Sequence, residues 1–392
     1  MADSAETTLG ALVELTPGFP FASAGFTAEP DDIRLVRGDN VAQGSLRWAN
    51  AARWPRTEPV DPKYHLQVGD VVLAMDRPWI EAGLKYAELR SVDVPSYLVQ
   101  RVARLRAKPG TDQRYIAHIV GSRAFTEYVL AIQTGSAVPH ISGPQIASFV
   151  LTPHSLEEQR AIAEVLGALD DKIAANTRAE RLADDLIRQM HARAVAAPGS
   201  GNDRLLEAFT FSFGEPFSGE QFSEPGVGRP LIRIRDLRTF ESQVWTTESR
   251  TRETVVRPGE IVVGMDAEFR ATAWLGEPGL LNQRVCRVTS RVAGAAFVRE
   301  ALREPLAEIE GYKSGTTVIH LNKGDLDRHT VVIPSAPALQ AFEATAEPVF
   351  ARRVASAAER RGIAAIRDTL LPALMSGKLR VRDAERLAEA HT

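Results

Sequence analysis

The chain has 392 residues, of which 44% are hydrophobic and 25% charged, and its formal net charge is −3. At about 150 residues per domain, this length predicts two or three domains. The near-neutral charge excludes a protein that is basic throughout, but it permits a local basic face. The single cysteine, Cys286, excludes an internal disulfide framework and a cysteine-based zinc cluster, which favours the cytoplasm. Neither a long apolar run nor a secretory signal pattern is present, so we expect no membrane span.

The second half of the sequence repeats the first at an offset of about 180 to 199 residues. Five segments recur in the same order: 9–21 with 205–217, 33–41 with 232–240, 68–76 with 258–266, 98–106 with 281–289, and 134–142 with 314–322. A repeat of roughly 190 residues is too long for a solenoid unit. The sequence therefore predicts two domain-sized copies of one unit.

The first zone of each copy has the pattern of a mixed α and β domain. VVLAM and IVVGM predict buried strands, which follow glycine turns at Gly69 and Gly259. LIRIRDL (231–237) alternates apolar and other residues, which predicts a strand with one outward face. Helical patterns occur near 115–132 and 294–309.

A long helix is predicted after each mixed zone. Ser155 is suited to cap the first helix. Seam positions then recur in steps of four and three from Ile162 to Ala194 and are apolar except for Asn176 and Glu180, as in a coiled coil with polar interruptions. About 42 residues would make roughly 60 Å of helix. The second helix follows residue 337, and Pro348 and Pro372 are expected to kink it.

Because the chain must return, we expect the two helices to pack antiparallel as a coiled coil. The alternative is that each helix is an ordinary internal helix of its own domain. The residues expected to form the coiled coil and to dock partner subunits are Leu166, Leu169, Ile173, Asn176, Ile187, Val349, Ile363, Ile366, Leu370 and Leu374.

Motifs of catalysis are missing from the sequence. It holds no Walker A, GxGxxG, HExxH or GxSxG pattern, and no adenine-methyltransferase motif. We therefore predict no catalytic, cofactor-binding or metal-binding residue in this chain. His140 and His320 occupy equivalent places in the two copies and are expected to hydrogen-bond a loop. Cys286 is expected to be buried and inert within a strand.

The chain looks like a binding protein, and its arginines suit contact with DNA phosphates and guanine. A sheet face with local aspartate partners, such as Asp39 and Asp236, is the alternative role for these arginines. The DNA-binding candidates are Arg34, Arg37, Lys85, Ser136, Arg233, Arg235, Arg238, Arg270, Lys313, Thr316, Thr317 and Lys323. A second set on predicted strands comprises Arg101, Arg104, Arg106 and Lys108, with Arg284 and Arg287 in the other copy.

Taken together, the repeated motifs resemble those of the specificity (S) subunit of Type I restriction-modification systems. The resemblance covers nearly the whole chain and is most specific at EEQRAIAEVLGALDDKI and RDTLLPALMSGKL. It implies two target recognition domains that each bind one half of a split, asymmetric DNA site, with two helices that fix the distance between them. It also implies two methyltransferase (M) subunits docked on the helices, which restriction (R) subunits can join. S-adenosylmethionine, ATP and Mg²⁺ would belong to those partners, not to this chain.

The predicted fold class is α+β, with tandem target recognition domains separated by the two long helices. We expect the first recognition domain at 1–153, a spacer helix at 154–200, the second domain at 201–334, a second spacer helix at 335–376, and a tail at 377–392. The main alternative function is a coiled-coil adaptor that binds proteins and has no DNA specificity. A self-contained nuclease or methyltransferase is a third hypothesis, which the missing motifs oppose.

Overall fold

A computed structural model describes residues 6–135, 138–266, 268–313 and 319–389. The chain divides into two compact units: unit 1 comprises Met1–Lys172 and Ile363–Thr392, and unit 2 comprises Ile173–Gly362. Each unit therefore holds one copy of the sequence repeat together with parts of both long helices. Within the described part of the chain, no helix combines the length and the apolar character needed to cross a membrane.

The α-helices of the described residues are α1 (Leu9–Leu12), α2 (Gln113–Val120), α3 (Arg123–Ile132), α4 (Gly143–Ala147), α5 (Leu156–Val195), α6 (Leu205–Ala208), α7 (Ala295–Ala301), α8 (Arg303–Lys313), α9 (Lys323–Arg328), α10 (Ala336–Met375) and α11 (Val381–Glu389). The strands of unit 1 are β1 (Thr7–Thr8), β2 (Val13–Pro17), β3 (Ile33–Val36), β4 (Arg53–Trp54), β5 (Val71–Ala74), β6 (Trp79–Ile80), β7 (Gly83–Leu84), β8 (Tyr86–Glu88), β9 (Ser96–Leu98), β10 (Val102–Ala107) and β11 (Val150–Leu151). Those of unit 2 are β12 (Gly201–Arg204), β13 (Thr210–Phe213), β14 (Phe222–Ser223), β15 (Arg229–Ile232), β16 (Trp245–Thr246), β17 (Val255–Val256), β18 (Ile261–Gly264), β19 (Ala271–Ala273), β20 (Gly279–Leu281), β21 (Val285–Thr289) and β22 (Thr330–Ile333).

The core of unit 1 is an antiparallel sheet with strand order β2-β10-β5-β8. All four residues of β5 are buried, which explains its uninterrupted apolar sequence. A second sheet has the order β4-β3-β9, in which β3 and β9 run parallel. Because α2 and α3 follow β10 directly, they are positioned to cover this core, and α2 contacts β10.

Unit 2 repeats this arrangement. Its antiparallel sheet has the order β13-β21-β18-β19, and β15 pairs in parallel with β20 as β3 does with β9. The turns before β5 and β18 each place a glycine at positive φ, Gly69 at 87° and Gly259 at 89°. The predicted duplication, mixed α and β composition and buried strands are thus confirmed.

One predicted strand is wrong in its extent. The segment 231–237 leaves the sheet at Ile232, the end of β15, and continues as a 3₁₀ turn over Ile234–Leu237. The buried Asp236 carboxylate accepts the backbone N–H of Arg233 at 2.9 Å, which stabilises the turn. The alternation of apolar and other residues over 231–237 predicted a strand, but it carries no information about a side-chain cap of this kind.

Each long helix is continuous over 40 residues, and Pro348 and Pro372 do not interrupt α10. The predicted seam positions that are buried are Leu166, Leu169, Asn176, Ile187, Ile363, Leu370 and Leu374, and those that are half-buried are Ile173, Val349 and Ile366. The segment predicted as a C-terminal tail contains α11.

Ion pairs define how the two helices pair inside each unit. In unit 2, Glu180 of α5 binds Arg360 of α10 at 2.8 Å, and Asp184 binds Arg353 at 2.5 Å. Position numbers rise along α5 while those of the partners fall along α10, so the helices are antiparallel in this unit. In unit 1, Asp170 of α5 accepts from Arg367 of α10 at 2.9 Å.

Asp184 also attaches the helix pair to the domain of unit 2. Its Oδ1 accepts from Nη1 of Arg299 on α7 at 2.5 Å, in addition to its pairing with Arg353. The side chain of Arg299 is only 8% exposed, and it also donates to Glu300. A buried guanidinium that loses its carboxylate keeps its desolvation cost without compensation.

We expect Asp184→Ala to lower the free energy of unfolding by about 3–5 kcal/mol, because it leaves two buried arginines without this partner. The adjacent Asp185→Ala is the matched control: its side chain is 63% exposed and pairs only at the surface with Arg188, so its effect should stay below about 0.5 kcal/mol. Urea unfolding followed by circular dichroism measures both. Equal effects of the two variants would contradict the role given to Asp184.

Candidate nucleic-acid interface

A cleft of about 590 Å³ in unit 1 collects basic side chains. Arg37, Arg77, Lys85 and Arg101 line it, together with Asp39, Asp76, Gln100 and the aromatic Phe21 and Phe26. Two of these positions are fixed by strand ends, since Ala74 N–H donates to the carbonyl of Lys85 and Met75 N–H donates to that of Arg101. The core sheet thereby presents cations at one edge.

Lys85 is half-buried at this cleft, and burial lowers the pKa of its ammonium group, an effect that the charge of Asp39 opposes. Among the described residues, no carboxylate lies within ion-pair distance of Lys85. A partly desolvated cation of this kind gains from an anionic ligand. Arg37 lies 3.6 Å from Asp39, and its guanidinium stands 5.6 Å from the ring centre of Phe26.

Arg34 lies apart from this group and has an internal role. Its guanidinium stacks 4.2 Å from the ring centre of Trp48, and Nη2 donates to the carbonyl of Val92 at 2.6 Å. Burial lowers the pKa of Arg34. The sequence indicated an outward strand arginine, whereas the structure gives Arg34 partners within its own unit.

In unit 2 the four arginine candidates separate into different environments. Arg233 pairs with Asp236 at 3.5 Å beside its backbone cap. Arg235 is exposed, and Arg238 and Arg270 both approach Glu268, at 3.0 and 3.8 Å. The structure therefore brings Arg238 and Arg270 together and assigns Arg233 to the local fold.

The candidates near the polar loops have mixed outcomes. Ser136, Thr316 and Thr317 lie outside the described residues. Nζ of Lys313 donates to the carbonyl of His320 and lies 2.6 Å from Asp325, so it fastens the chain locally. Lys323 is exposed at the start of α9.

The second set of strand arginines is divided between interior and surface. Arg104 is 2% exposed and donates to the carbonyl of Lys63 and to Thr16. Arg106 forms two bonds of 2.7 Å with the carboxylate of Asp70. Arg287 pairs with Glu260 at 3.0 Å, and Nζ of Lys108 donates to the carbonyl of Gly10. Arg101 and Arg284, in contrast, are largely exposed.

The remaining predictions concern Cys286, metal binding and the seam residues of the two long helices. Cys286 is buried in β21, and burial raises the pKa of its thiol to about 12, which agrees with an inert role. Within the described ranges, no group of three or more His, Cys, Asp and Glu could hold a metal ion. The seam residues are buried or half-buried inside their own units, and the large apolar side chains of α5 that are exposed are those of Leu182 and Leu186.

The chain belongs to the class of proteins that have two copies of one α/β unit and two long helices, each of 40 residues here. No protein-family model matches the chain. The sequence is 33% identical over 162 residues to the specificity subunit of the Type I restriction enzyme EcoAI of Escherichia coli, which is 40% of this chain and 27% of that protein. It is 30% identical over 143 residues to the MjaVIII specificity subunit of Methanocaldococcus jannaschii, covering 36% of this chain and 34% of that protein. These matches thus span about a third or less of the relatives' own lengths.

Two further comparisons cover more of the chain. The MjaIX specificity subunit of Methanocaldococcus jannaschii is 22% identical over 325 residues, 70% of this chain and 71% of that protein. The crystal structure of the S subunit of a Type-I restriction-modification system from M. genitalium matches 95% of this chain and 96% of its own, with a TM-score of 0.63 and 14% identity. The fold is therefore that of an S subunit, and by sequence the chain is a homologue of the Type I restriction enzyme specificity subunits.

We expect Arg233→Ala and Arg235→Ala to behave differently, although only one residue separates them. Arg233→Ala should lower the free energy of unfolding by about 1–3 kcal/mol, because it removes the side-chain partner of the buried Asp236. Arg235 is exposed, so Arg235→Ala should leave stability unchanged within about 0.5 kcal/mol. Thermal unfolding measures the two variants, and a stable Arg233→Ala would show that the pair does not support the fold.

Proposed function

We propose that this chain is the DNA sequence-recognition subunit of a Type I restriction-modification complex, in which each copy of the repeat recognises one half of a bipartite, asymmetric site. The observation that carries the proposal is the duplicated unit, with its own basic side chains in each copy, in a homologue of specificity subunits. The role is non-catalytic: methylation and cleavage belong to partner subunits.

The charges of unit 1 support a DNA ligand. Four basic residues line one cleft, and Lys85 has no described carboxylate partner, so the cleft suits the phosphates of a duplex. Arginine also forms paired hydrogen bonds to guanine in the major groove. A peptide-binding adaptor would not require this excess of cations at the ends of core strands.

The two recognised half-sites should differ in sequence. The sequence aligned 33–41 with 232–240, but the strand pairing and the capped turns shift this register by three residues. Arg37 then lies opposite Arg233, whereas Asp39 lies opposite Arg235 and Asn40 opposite Asp236. The two units have alike backbones but different charged side chains at these positions. Since each base pair presents its own donors and acceptors, the two units are expected to contact different bases.

The proposal includes the division of the chain at 1–153, 154–200, 201–334, 335–376 and 377–392, with α5 and α10 as spacer and docking helices. Two M subunits that use S-adenosylmethionine would bind the helices, and R subunits that use ATP and Mg²⁺ can join. Because α5 and α10 bury their seam, the docking contacts would come from their other faces, where Leu182 and Leu186 are exposed. We place the complex in the cytoplasm.

Recovery of the tagged chain from its native cells, with mass spectrometry of what accompanies it, tests the proposal. We expect an adenine methyltransferase at two copies per chain, and binding of the complex to duplex DNA that weakens steeply with salt because phosphate contacts release counterions. Methylation mapping of the genome should then give one bipartite site. Recovery of no methyltransferase, together with duplex binding that is absent or independent of salt, would favour the adaptor instead.

A change in helix length should alter the distance between half-sites without altering the half-sites. Because Glu180 faces Arg360 and the helices are antiparallel, one heptad is added to α5 after Asn176 and one to α10 after Arg360, which keeps this pair on the same side of both inserts. Seven residues add about 10 Å of helix, which corresponds to about three base pairs. Methylation mapping of the variant should return the same two half-sites with a longer spacer. Altered half-site sequences with an unchanged spacer would refute the assignment of the helices as spacers.

A further inference from the structure

The same three side chains meet in both units, and we call each group an Asp–Arg–His cluster. In unit 1, Asp76 Oδ1 bonds Nδ1 of His140 at 2.6 Å, and Asp76 Oδ2 lies 3.4 Å from Nε of Arg101. In unit 2, Asp266 contacts His320, and its Oδ2 lies 3.6 Å from Nε of Arg284, which also contacts His320.

Backbone hydrogen bonds hold each cluster at the ends of core strands. Met75 N–H donates to the carbonyl of Arg101, and Ile141 N–H donates to that of Met75, at 2.8 and 2.9 Å. The same two bonds recur in unit 2, from Met265 to Arg284 and from Leu321 to Met265, at 3.0 and 2.8 Å. Asp76 is bridged to His140, and Asp266 to His320, in antiparallel fashion. The frame of the cluster is therefore part of each sheet.

Stability does not explain why both copies keep these side chains. The side chain of Arg101 is 59% exposed and that of Arg284 is 46% exposed, and ion pairs at such exposure contribute little to folding. Buried arginines of the same sheet, such as Arg104, do have structural partners. A ligand common to both units is a better reason for keeping an exposed arginine with its positioning partners.

Other charged positions are exchanged between the copies. Val36 and Ile232 end equivalent strands, and the N–H groups of Arg37 and Arg233 both donate to the side chain three residues further on. Arg37 therefore corresponds to Arg233, whereas Asp39 corresponds to the oppositely charged Arg235. Two half-sites of different sequence share only the sugar-phosphate backbone, because base edges carry the differences. A group retained in both copies thus fits the shared part of the ligand, and the exchanged residues fit the part that differs.

We propose that Arg101 and Arg284 each bind a backbone phosphate of the DNA half-site that their unit recognises, with the aspartate and histidine of the cluster positioning the guanidinium. The inference rests on the proposed function and deepens it. Asp76 lies beside Nε of Arg101. The Nη atoms of Arg101 donate no hydrogen bond to a described residue, so they are available to a phosphodiester oxygen. Arg37, Arg77 and Lys85 share the cleft and add positive charge beside Arg101.

The test uses the full chain in its complex and two duplexes: one with the mapped site and one with the same bases scrambled. Arg101→Gln and Arg284→Gln should each weaken binding to both duplexes about tenfold, and each should reduce the slope of log K against log salt by about one. Arg101→Lys keeps the charge and should keep the slope. Arg123→Gln is the matched control, since Arg123 is 86% exposed on α3 of the same unit, and it should change neither quantity.

The positioning role of the histidine is tested by comparing His140→Ala with His140→Asn. His140→Ala should weaken binding to both duplexes by less than Arg101→Gln does, without a change in thermal unfolding. His140→Asn, whose amide can donate to Asp76 in place of Nδ1, should restore the affinity. Loss of affinity in both variants with a matching loss of stability would show a merely structural histidine and overturn this part.

The remaining outcomes separate the inference from the function on which it rests. If the arginine variants weaken only the specific duplex and leave the salt slope unchanged, these arginines contact bases and the inference is wrong while the function stands. If they behave like Arg123→Gln, the inference is likewise wrong. If the unaltered complex binds neither duplex in a salt-dependent manner, the proposed function fails together with the inference.

Discussion

Pairing between α5 and α10 is the interaction on which both units depend, because each unit joins segments that are far apart in the chain. Unit 1 needs the C-terminal part of α10 beside the N-terminal part of α5, and unit 2 needs the opposite halves. Buried leucines such as Leu166 and Leu370 supply the attraction, at about 1.5–3 kcal/mol for each fully buried side chain. A helix of 40 residues with one apolar stripe is stabilised by burying that stripe against a partner.

Polar groups in the seam fix its register more than they stabilise it. Apolar side chains alone tolerate a shift of one heptad, whereas Asp184 can meet Arg353 and Glu180 can meet Arg360 only in one alignment. Asn176 is 4% exposed, and its Nδ2 has no hydrogen-bond partner among the described residues, which costs stability. The polar seam residues therefore specify one register of the helix pair at some cost in stability.

The sequence predicted those elements whose signal is local or periodic. The heptad from Ile162 to Ala194 and the apolar run of β5 each follow from burial on a regular repeat, so they could be recognised without a structure. Individual arginines could not be assigned in this way. Arg104 is interior because Lys63 and Thr16 come from other segments to meet it, and Arg233 is occupied because Asp236 bends the chain. Such partners depend on tertiary contacts, which a pattern of charges along one strand does not contain.

The architecture separates what must be constant from what can change. In each unit, the strand ends around Met75 or Met265 are held by backbone bonds, which do not depend on the neighbouring side chains. Equivalent positions such as Asp39 in one copy and Arg235 in the other can therefore carry opposite charges without disturbing the frame. Specificity is a difference in affinity between sequences. A recognition surface can therefore change its specificity most readily when the variable side chains are held by an invariant backbone frame. Duplication of one such frame, followed by divergence of its exposed positions, is sufficient to produce two units with alike backbones and different exposed charges.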